Sequence, residues 1–215
     1  IIHTHSPRSD LLAYSSNLFL KNKGKRIVTI HGKYGTYLQG NFLIDFLRKI
    51  FIKQQSKIWE KANKVIVISE SIRDWLEKLN SSIKPTVIPY GVEIQEVSQK
   101  NKLANPTLGY LGKLNKNKGI EDLIDVYTKF QEKVNSSNFE LTLLIGGTGS
   151  ENYIKSLKNK IKDNNVKFLG YVEDRYSFFE SIEIFVFPSY SEGLGLVLLE
   201  AMAHGVICIT RDVTP

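Results

Sequence analysis

The chain has 215 residues, 42% hydrophobic and 24% charged, with a single cysteine and a formal net charge of +7. That apolar content suffices for one large or two small cores, one cysteine excludes an internal disulfide, and no run approaches the roughly 18 apolar residues of a membrane-spanning helix. A pI near 9.3 suits a nucleic acid, an anionic membrane or a phosphorylated substrate, but the lysines are dispersed and no nucleic-acid-binding motif occurs, so no nucleic acid is expected as partner.

Short apolar or β-branched runs alternate with longer helical patterns. Strands are expected at 1–4, 26–31, 64–68, 86–88, 107–111, 140–145, 166–169, 184–187 and 206–210. Helices are expected at 9–23, 41–63, 71–79, 120–134, 150–163, 175–181 and 195–204, with Ser69 as a start signal for the third. Several strands are apolar throughout, as in a parallel sheet covered on both faces. The βαβα order predicts an α/β fold with right-handed crossovers. Residues 93–105 are polar, lack a period and end before Pro106, so they are read as a linker. Two Rossmann-like domains are therefore expected, 1–92 and 106–215. The chain does not begin with Met, shows no secretory leader, and is expected to be a fragment. At about 30 residues per βαβ unit, a complete first domain is expected to need about 80 residues upstream.

In chain order, His3 and His5 alternate on the first strand, and His31 ends the second, with its ring expected to face a crevice. No second His, Cys or acid stands at metal-ligand spacing from His31, so no metal is expected. From Phe42 onward, Leu43, Phe46, Leu47, Ile50 and Phe51 form an apolar face beside Arg48, Lys49, Lys53 and Lys57. Such a helix either lies on an anionic membrane or packs on a core with a solvated basic side. "GYLGKLNKNKG" follows a strand with Gly112, Lys113, Lys116 and Lys118, a glycine for close backbone approach and cations for phosphate. "LLIGGTGSE" departs from the dinucleotide fingerprint because Asn152 stands at its third glycine position; Gly147 is read as a backbone floor under a ligand.

"SEGLGLVLLEA" places Glu192 in a loop after a strand and Glu200 eight positions on, with Gly193 and Gly195 at a helix start. Ligands of open α/β sheets bind at strand carboxyl ends, and a helix N-terminus accepts anions. Eight helical steps rise about 12 Å, comparable to the distance from a sugar hydroxyl to a ribose across a diphosphate. The alternative is a capping Glu192 and a solvated Glu200, although Glu200 has apolar neighbours on both sides. Cys208, in "GVICIT", is read as a small residue of a buried strand.

Together these pieces resemble glycosyltransferase family 4, the retaining GT-B enzymes. "IIHTHSP" and "VTIHG" look like its histidine-bearing strands. "VIVISESIRDWL" and "VIPYGVE" are similar to its signatures at the end of the first domain. "YLGKLNKNKGIEDLI" resembles its phosphate loop, "FLGYVED" its base-binding turn and "PSYSEGLGLVLLEAMAHG" its Glu-x7-Glu motif. The resemblance implies that Glu192 holds the hydroxyls of the transferred sugar and Glu200 those of the ribose. It implies that backbone N–H groups at Gly193, Leu194 and Gly195 meet the sugar and β-phosphate, and that Lys113 and Lys118 neutralise the diphosphate. It further implies that Gly112 and Gly147 line the donor site, that Tyr171 and Val172 frame the base, and that His31 reaches the donor sugar. Lys113 stands where the family typically has arginine, Leu194 where phenylalanine is common, and "TRDVTP" lacks the usual glycines.

The expected function is retaining sugar transfer from a UDP- or GDP-sugar to a glycan, lipid-linked or small-molecule acceptor, in cell-surface polysaccharide or glycolipid synthesis. No cofactor is expected, the nucleotide-diphosphate sugar being a co-substrate. A cytoplasmic location is expected, with peripheral contact at an anionic membrane. The alternatives are a nucleotide-sugar epimerase of the same architecture and a non-catalytic nucleotide-sugar-binding fragment.

Overall fold

The computed structural model describes residues 1–20, 24–34, 42–94, 106–134, 140–161 and 164–212. The chain divides into two compact units, Ile1–Tyr90 and Gly91–Thr214. Residues 95–105 of the expected linker lie outside the described residues.

The first unit is built from β1 (Ile2–Thr4), α1 (Pro7–Phe19), β2 (Arg26–Ile30), α2 (Phe42–Glu60), β3 (Lys64–Val67), α3 (Glu70–Leu79) and β4 (Thr86–Val87). Its strands are parallel, in the order β1-β2-β3-β4. Helix α1 starts two residues before the sequence expectation because Ser6 and Ser9 form a reciprocal capping box with Pro7 at the first helical position. Ser69 caps α3 as expected, its hydroxyl accepting the Ile72 N–H at 3.4 Å. Helix α2 changes character along its length. Its second half buries Ile52, Gln55, Ser56 and Trp59, and the Trp59 indole donates at 2.8 Å to the buried Asp10 carboxylate. Its first half turns Phe42, Leu43, Phe46, Leu47 and Phe51 outward, Phe42 being 86% exposed. Among the described residues no helix is long and apolar enough to cross a membrane.

The second unit comprises β5 (Thr107–Leu111), α4 (Ile120–Val134), β6 (Thr142–Gly146), α5 (Glu151–Asn159), β7 (Val166–Gly170), α6 (Arg175–Glu180), β8 (Ile184–Phe187), α7 (Leu196–Ala203) and β9 (Ile207–Thr210). All its paired strands are parallel, in the order β7-β6-β5-β8-β9. The two-residue side-chain period divides its core between the sheet faces. Tyr110, Leu143 and Ile145 pack with Ile120, Ile124 and Leu157. Leu111 and Leu144 pack with Phe178, Phe179, Phe185, Ala201 and Val206. Phe179 is fully buried, and truncating such a ring to alanine costs about 3–5 kcal/mol. One expectation fails here. The strand of Cys208 is not buried: among the described residues β9 lies at the edge of its sheet with Ile207 and Ile209 exposed, leaving Cys208 only half-buried.

The strand order fixes where a ligand can sit. From β5 the chain steps outward to β6 and β7, then returns to the opposite flank of β5 as β8. The loops after β5 and β8 diverge at this reversal and leave a crevice at the strand carboxyl ends.

Candidate functional site

Both loops at the reversal are tied down. After β5, the Gly112 N–H donates to Gly146 O at 3.0 Å and the Leu114 N–H to Thr148 O at 2.7 Å, before a short 3-10 turn at Lys116–Lys118. After β8, the Tyr190 N–H donates to Asn117 O at 2.9 Å, joining the two loops. The Tyr190 hydroxyl donates to Asp122 at 2.7 Å, and Arg211 pairs with the same carboxylate. Arg211 also lies 4.1 Å from the Tyr190 ring centroid and donates at 3.2 Å to Pro188 O. The Tyr190 hydrogen bond, then those of Arg211, hold the Asp122 carboxyl below the usual range.

This bracing presents Glu192 to Lys118. The Lys118 ammonium donates to Glu192 Oε1 at 2.5 Å, both side chains being half-buried. Tyr110 lies beneath, its hydroxyl donating to Lys113 O at 3.0 Å. Burial, and then the charge of Glu192, push the Tyr110 phenol well above its ordinary value, so it acts as a neutral donor.

A pocket of about 270 Å³ at the ends of β5, β6 and β7 is bordered by Gly112, Lys113, Gly147, Tyr171, Val172 and Arg175. Gly147 makes its floor. Its φ is +131°, and a Cβ there would lie 1.7 Å from Gly112 O, so only glycine fits. A register shift between β6 and β7 sets Gly146 opposite Gly170, and the Gly147 N–H donates to Gly170 O at 2.6 Å. The irregularity brings the turn of Tyr171 and Val172 to the pocket wall, with Tyr171 75% exposed.

Helix α7 starts at Leu196, because Gly195 before it is left-handed at φ +72°. Only four of the eight steps from Glu192 to Glu200 are therefore helical, a rise of about 6 Å and not 12 Å; Gly193 and Leu194 belong to the loop. The first-turn N–H groups of Leu196 and Val197 have no intrahelical acceptor, and Val197 lines the pocket. At the other end, the Gly205 N–H donates to Met202 O and the Val206 N–H to Ala201 O, closing the helix with a Schellman motif. Glu200 does not stand free on this helix: Arg175 Nη1 donates to both its oxygens, at 2.8 and 3.0 Å.

His31 lies in the first unit, just beyond β2. Its Nε2 is 3.0 Å from His5 Nδ1, and its Nδ1 meets the Tyr90 hydroxyl. The His5 ring stacks on His31 at a centroid distance of 5.2 Å and meets the His3 ring in a tilted contact at 4.3 Å. Burial first, then the facing His5 and His3, push the His31 imidazole below its ordinary value, while Asp10 acts in the opposite sense. Among the described residues no group of three or more His, Cys, Asp or Glu side chains could hold a metal ion.

Residues 1–96 match the family model for Glycosyltransferase Family 4, and residues 105–215 the model for Glycosyl transferases group 1. The chain belongs to this glycosyltransferase family. It is 29% identical, over its full length, to a capsular polysaccharide biosynthesis glycosyltransferase of Staphylococcus aureus, CapM, and 28% identical over 99% of its length to an O-antigen biosynthesis glycosyltransferase of Escherichia coli, WclY. It spans 59% and 61% of the lengths of those two relatives. Among solved structures, Anabaena HepE in complex with UDP and glucose superposes on 98% of the chain with a TM-score of 0.77, at 16% identity and over 59% of its own length. The two parallel-sheet α/β units are those of the GT-B fold.

In this glycosyltransferase family chain, the expected site residues fall into groups. Gly112, Lys113, Gly147, Tyr171 and Val172 come together around the pocket. Lys118 and Glu192 bind each other, while Gly193, Leu194 and Gly195 link Glu192 to α7. Glu200 joins the pocket through Arg175. His31 belongs to the first unit, where it contacts His5 and Tyr90. Sequence reasoning passed over Arg175, Tyr190, Asp122 and Arg211 as parts of the site. Arg175 carried one signal: it opens the helix directly after the turn of Tyr171 and Val172.

Proposed function

We propose that the full-length protein containing this chain moves a sugar, with retained anomeric configuration, from a UDP- or GDP-sugar to a glycan, lipid-linked or small-molecule acceptor in cell-surface polysaccharide synthesis. The observation that carries the reading is the convergence, at the strand-order reversal, of a glycine-floored pocket, a lysine and two family-motif acids. Lys113 at the pocket and the first-turn N–H groups of α7 supply positive charge for a diphosphate. Lys118 has two further N–H donors beyond the one given to Glu192, so the pair can hold a sugar hydroxyl on the acid and a phosphate oxygen on the amine. Charge develops on the leaving diphosphate as the glycosidic bond breaks, and cations fixed beforehand stabilise it without reorganising. UDP and glucose in HepE, and the capsular and O-antigen roles of CapM and WclY, support the choice of donor and product.

The test is release of nucleoside diphosphate by full-length protein from a panel of UDP- and GDP-sugars, with and without candidate acceptors. Acceptor-dependent release that persists in excess chelator is expected. No release from any donor, or formation of an epimeric sugar without transfer, overturns the reading.

The outward apolar half of α2, with Arg48, Lys49, Lys53 and Lys57 along the helix, supports peripheral docking on an anionic membrane at the cytoplasmic face. Salt-sensitive binding to vesicles rich in phosphatidylglycerol, weakened by Lys49→Gln with Lys53→Gln, is expected. Binding that is equal on neutral vesicles contradicts it.

A further inference from the structure

The ion pair of Arg175 and Glu200 crosses between helices adjoining the pocket. Arg175 opens α6 and borders the pocket. Its sequence neighbour Asp174 is the nearest acid in the chain, but that carboxylate is committed to Ser177, accepting its N–H at 3.0 Å and its hydroxyl at 2.6 Å. Arg175 instead reaches Glu200 on α7, where one guanidinium nitrogen spans both carboxylate oxygens. The two helices are locked one residue further along. The Tyr176 ring meets the edge of His204 at a centroid distance of 5.1 Å, and His204 Nδ1 lies 2.8 Å from Glu200 O.

We infer that Arg175 is a positioning residue for the nucleotide, holding the Glu200 carboxylate in the orientation in which its unused lone pairs accept the ribose hydroxyls. This rests on the nucleotide-sugar reading of the site. A carboxylate offers about four acceptor positions, and Arg175 occupies one on each oxygen, leaving one per oxygen for a vicinal diol. A glutamate alone on a helix would sample several rotamers and lose that freedom on binding. With Arg175 in place the loss is incurred on folding, and the charge-assisted bonds to the ribose form without it. Arg175 touches Glu200, and its contribution to the nucleotide passes through that acid.

The test is calorimetric titration of the full-length protein with UDP, GDP and their 2′,3′-dideoxy counterparts, for wild type, Arg175→Ala, Arg175→Lys and Glu200→Ala. Wild type is expected to bind one of the two ribonucleotides about tenfold more tightly than its dideoxy analogue, the scale of one charge-assisted hydrogen bond. Arg175→Ala should cut that preference to about twofold, as Glu200→Ala does, by weakening the ribonucleotide several-fold more than its dideoxy counterpart. Arg175→Lys, which keeps a cation against the carboxylate, should restore part of the preference. A purely structural role would weaken ribonucleotide and dideoxynucleotide alike, and that outcome overturns the inference. So does an Arg175→Ala protein that keeps the full ribose preference. Wild type that binds neither UDP nor GDP fails at an earlier step, and removes the nucleotide-sugar reading together with the inference.

Discussion

Replacing Gly147 with alanine tests whether the pocket floor is set by backbone geometry. The added Cβ would stand 1.7 Å from Gly112 O and 2.8 Å from Gly112 C, at a φ of +131°. Neither partner is a flexible side chain, so one of the two strand ends must move. The strained φ costs about 1–3 kcal/mol. Separating the strand ends also gives up two hydrogen bonds, from Gly112 N–H to Gly146 O and from Gly147 N–H to Gly170 O, at about 1 kcal/mol each. The sum is about 3–5 kcal/mol. Gly170→Ala is the control: its φ is +70°, but nothing lies within 4 Å of the added carbon, so only the left-handed backbone is penalised, by about 1–2 kcal/mol. Urea unfolding followed by far-ultraviolet circular dichroism reads the difference. At an m-value of about 2 kcal/mol/M, Gly147→Ala should lower the midpoint by roughly 1.5–2.5 M. Both tryptophans, Trp59 and Trp75, lie in the first unit, so their fluorescence reports whether the damage is confined to the second. A Gly147→Ala loss no larger than that of Gly170→Ala would refute the close-approach argument.

Glu192→Ala and Lys118→Ala should each abolish transfer while leaving the circular dichroism spectrum unchanged, and the double variant should be no worse than either single one, because the two residues act as a unit; additive losses would separate their roles. Tyr190→Phe removes the hydroxyl that ties the Glu192 loop to Asp122 and should lower turnover more than it lowers stability; an unchanged kcat would show that the tie does not position Glu192. The His31 imidazole is lowered, so the unfolded chain binds the extra proton first as pH falls. Its contribution to stability is complete above the unfolded value of about 6.5 and declines as pH drops through that value toward the folded one. The tryptophan-detected urea midpoint should accordingly fall between pH 7.5 and 5.5, and fall less in His31→Asn; equal declines would contradict this.

The order of strands and helices was legible because it rests on local chemistry. Apolar runs mark the strands, Ser69 marks a helix start, and the glycines of residues 146–149 mark a tight approach. The boundaries that shifted did so for reasons equally local but weaker in the sequence. Pro7 and Ser6 start α1 early, and Gly195, in a left-handed conformation, delays α7. What could not be read were pairings set by tertiary structure. Arg175 meets Glu200 from 25 positions away, and Asp122 meets Arg211 from 89. His5 meets His31 only because β1 and β2 lie side by side. The apolar letters of β9 suggested burial, whereas among the described residues it pairs only with β8, which leaves Ile207 and Ile209 exposed; strand composition does not report how many neighbours a strand has.

The most direct measurement is a crystal structure of the full-length protein with its intact donor, read at two places. The ribose hydroxyls should lie within hydrogen-bond distance of Glu200 and the transferred sugar's hydroxyls within that of Glu192, with the diphosphate between them against Lys113 and the start of α7. A donor bound elsewhere in the second unit, or one whose diphosphate faces away from that helix start, would contradict the account.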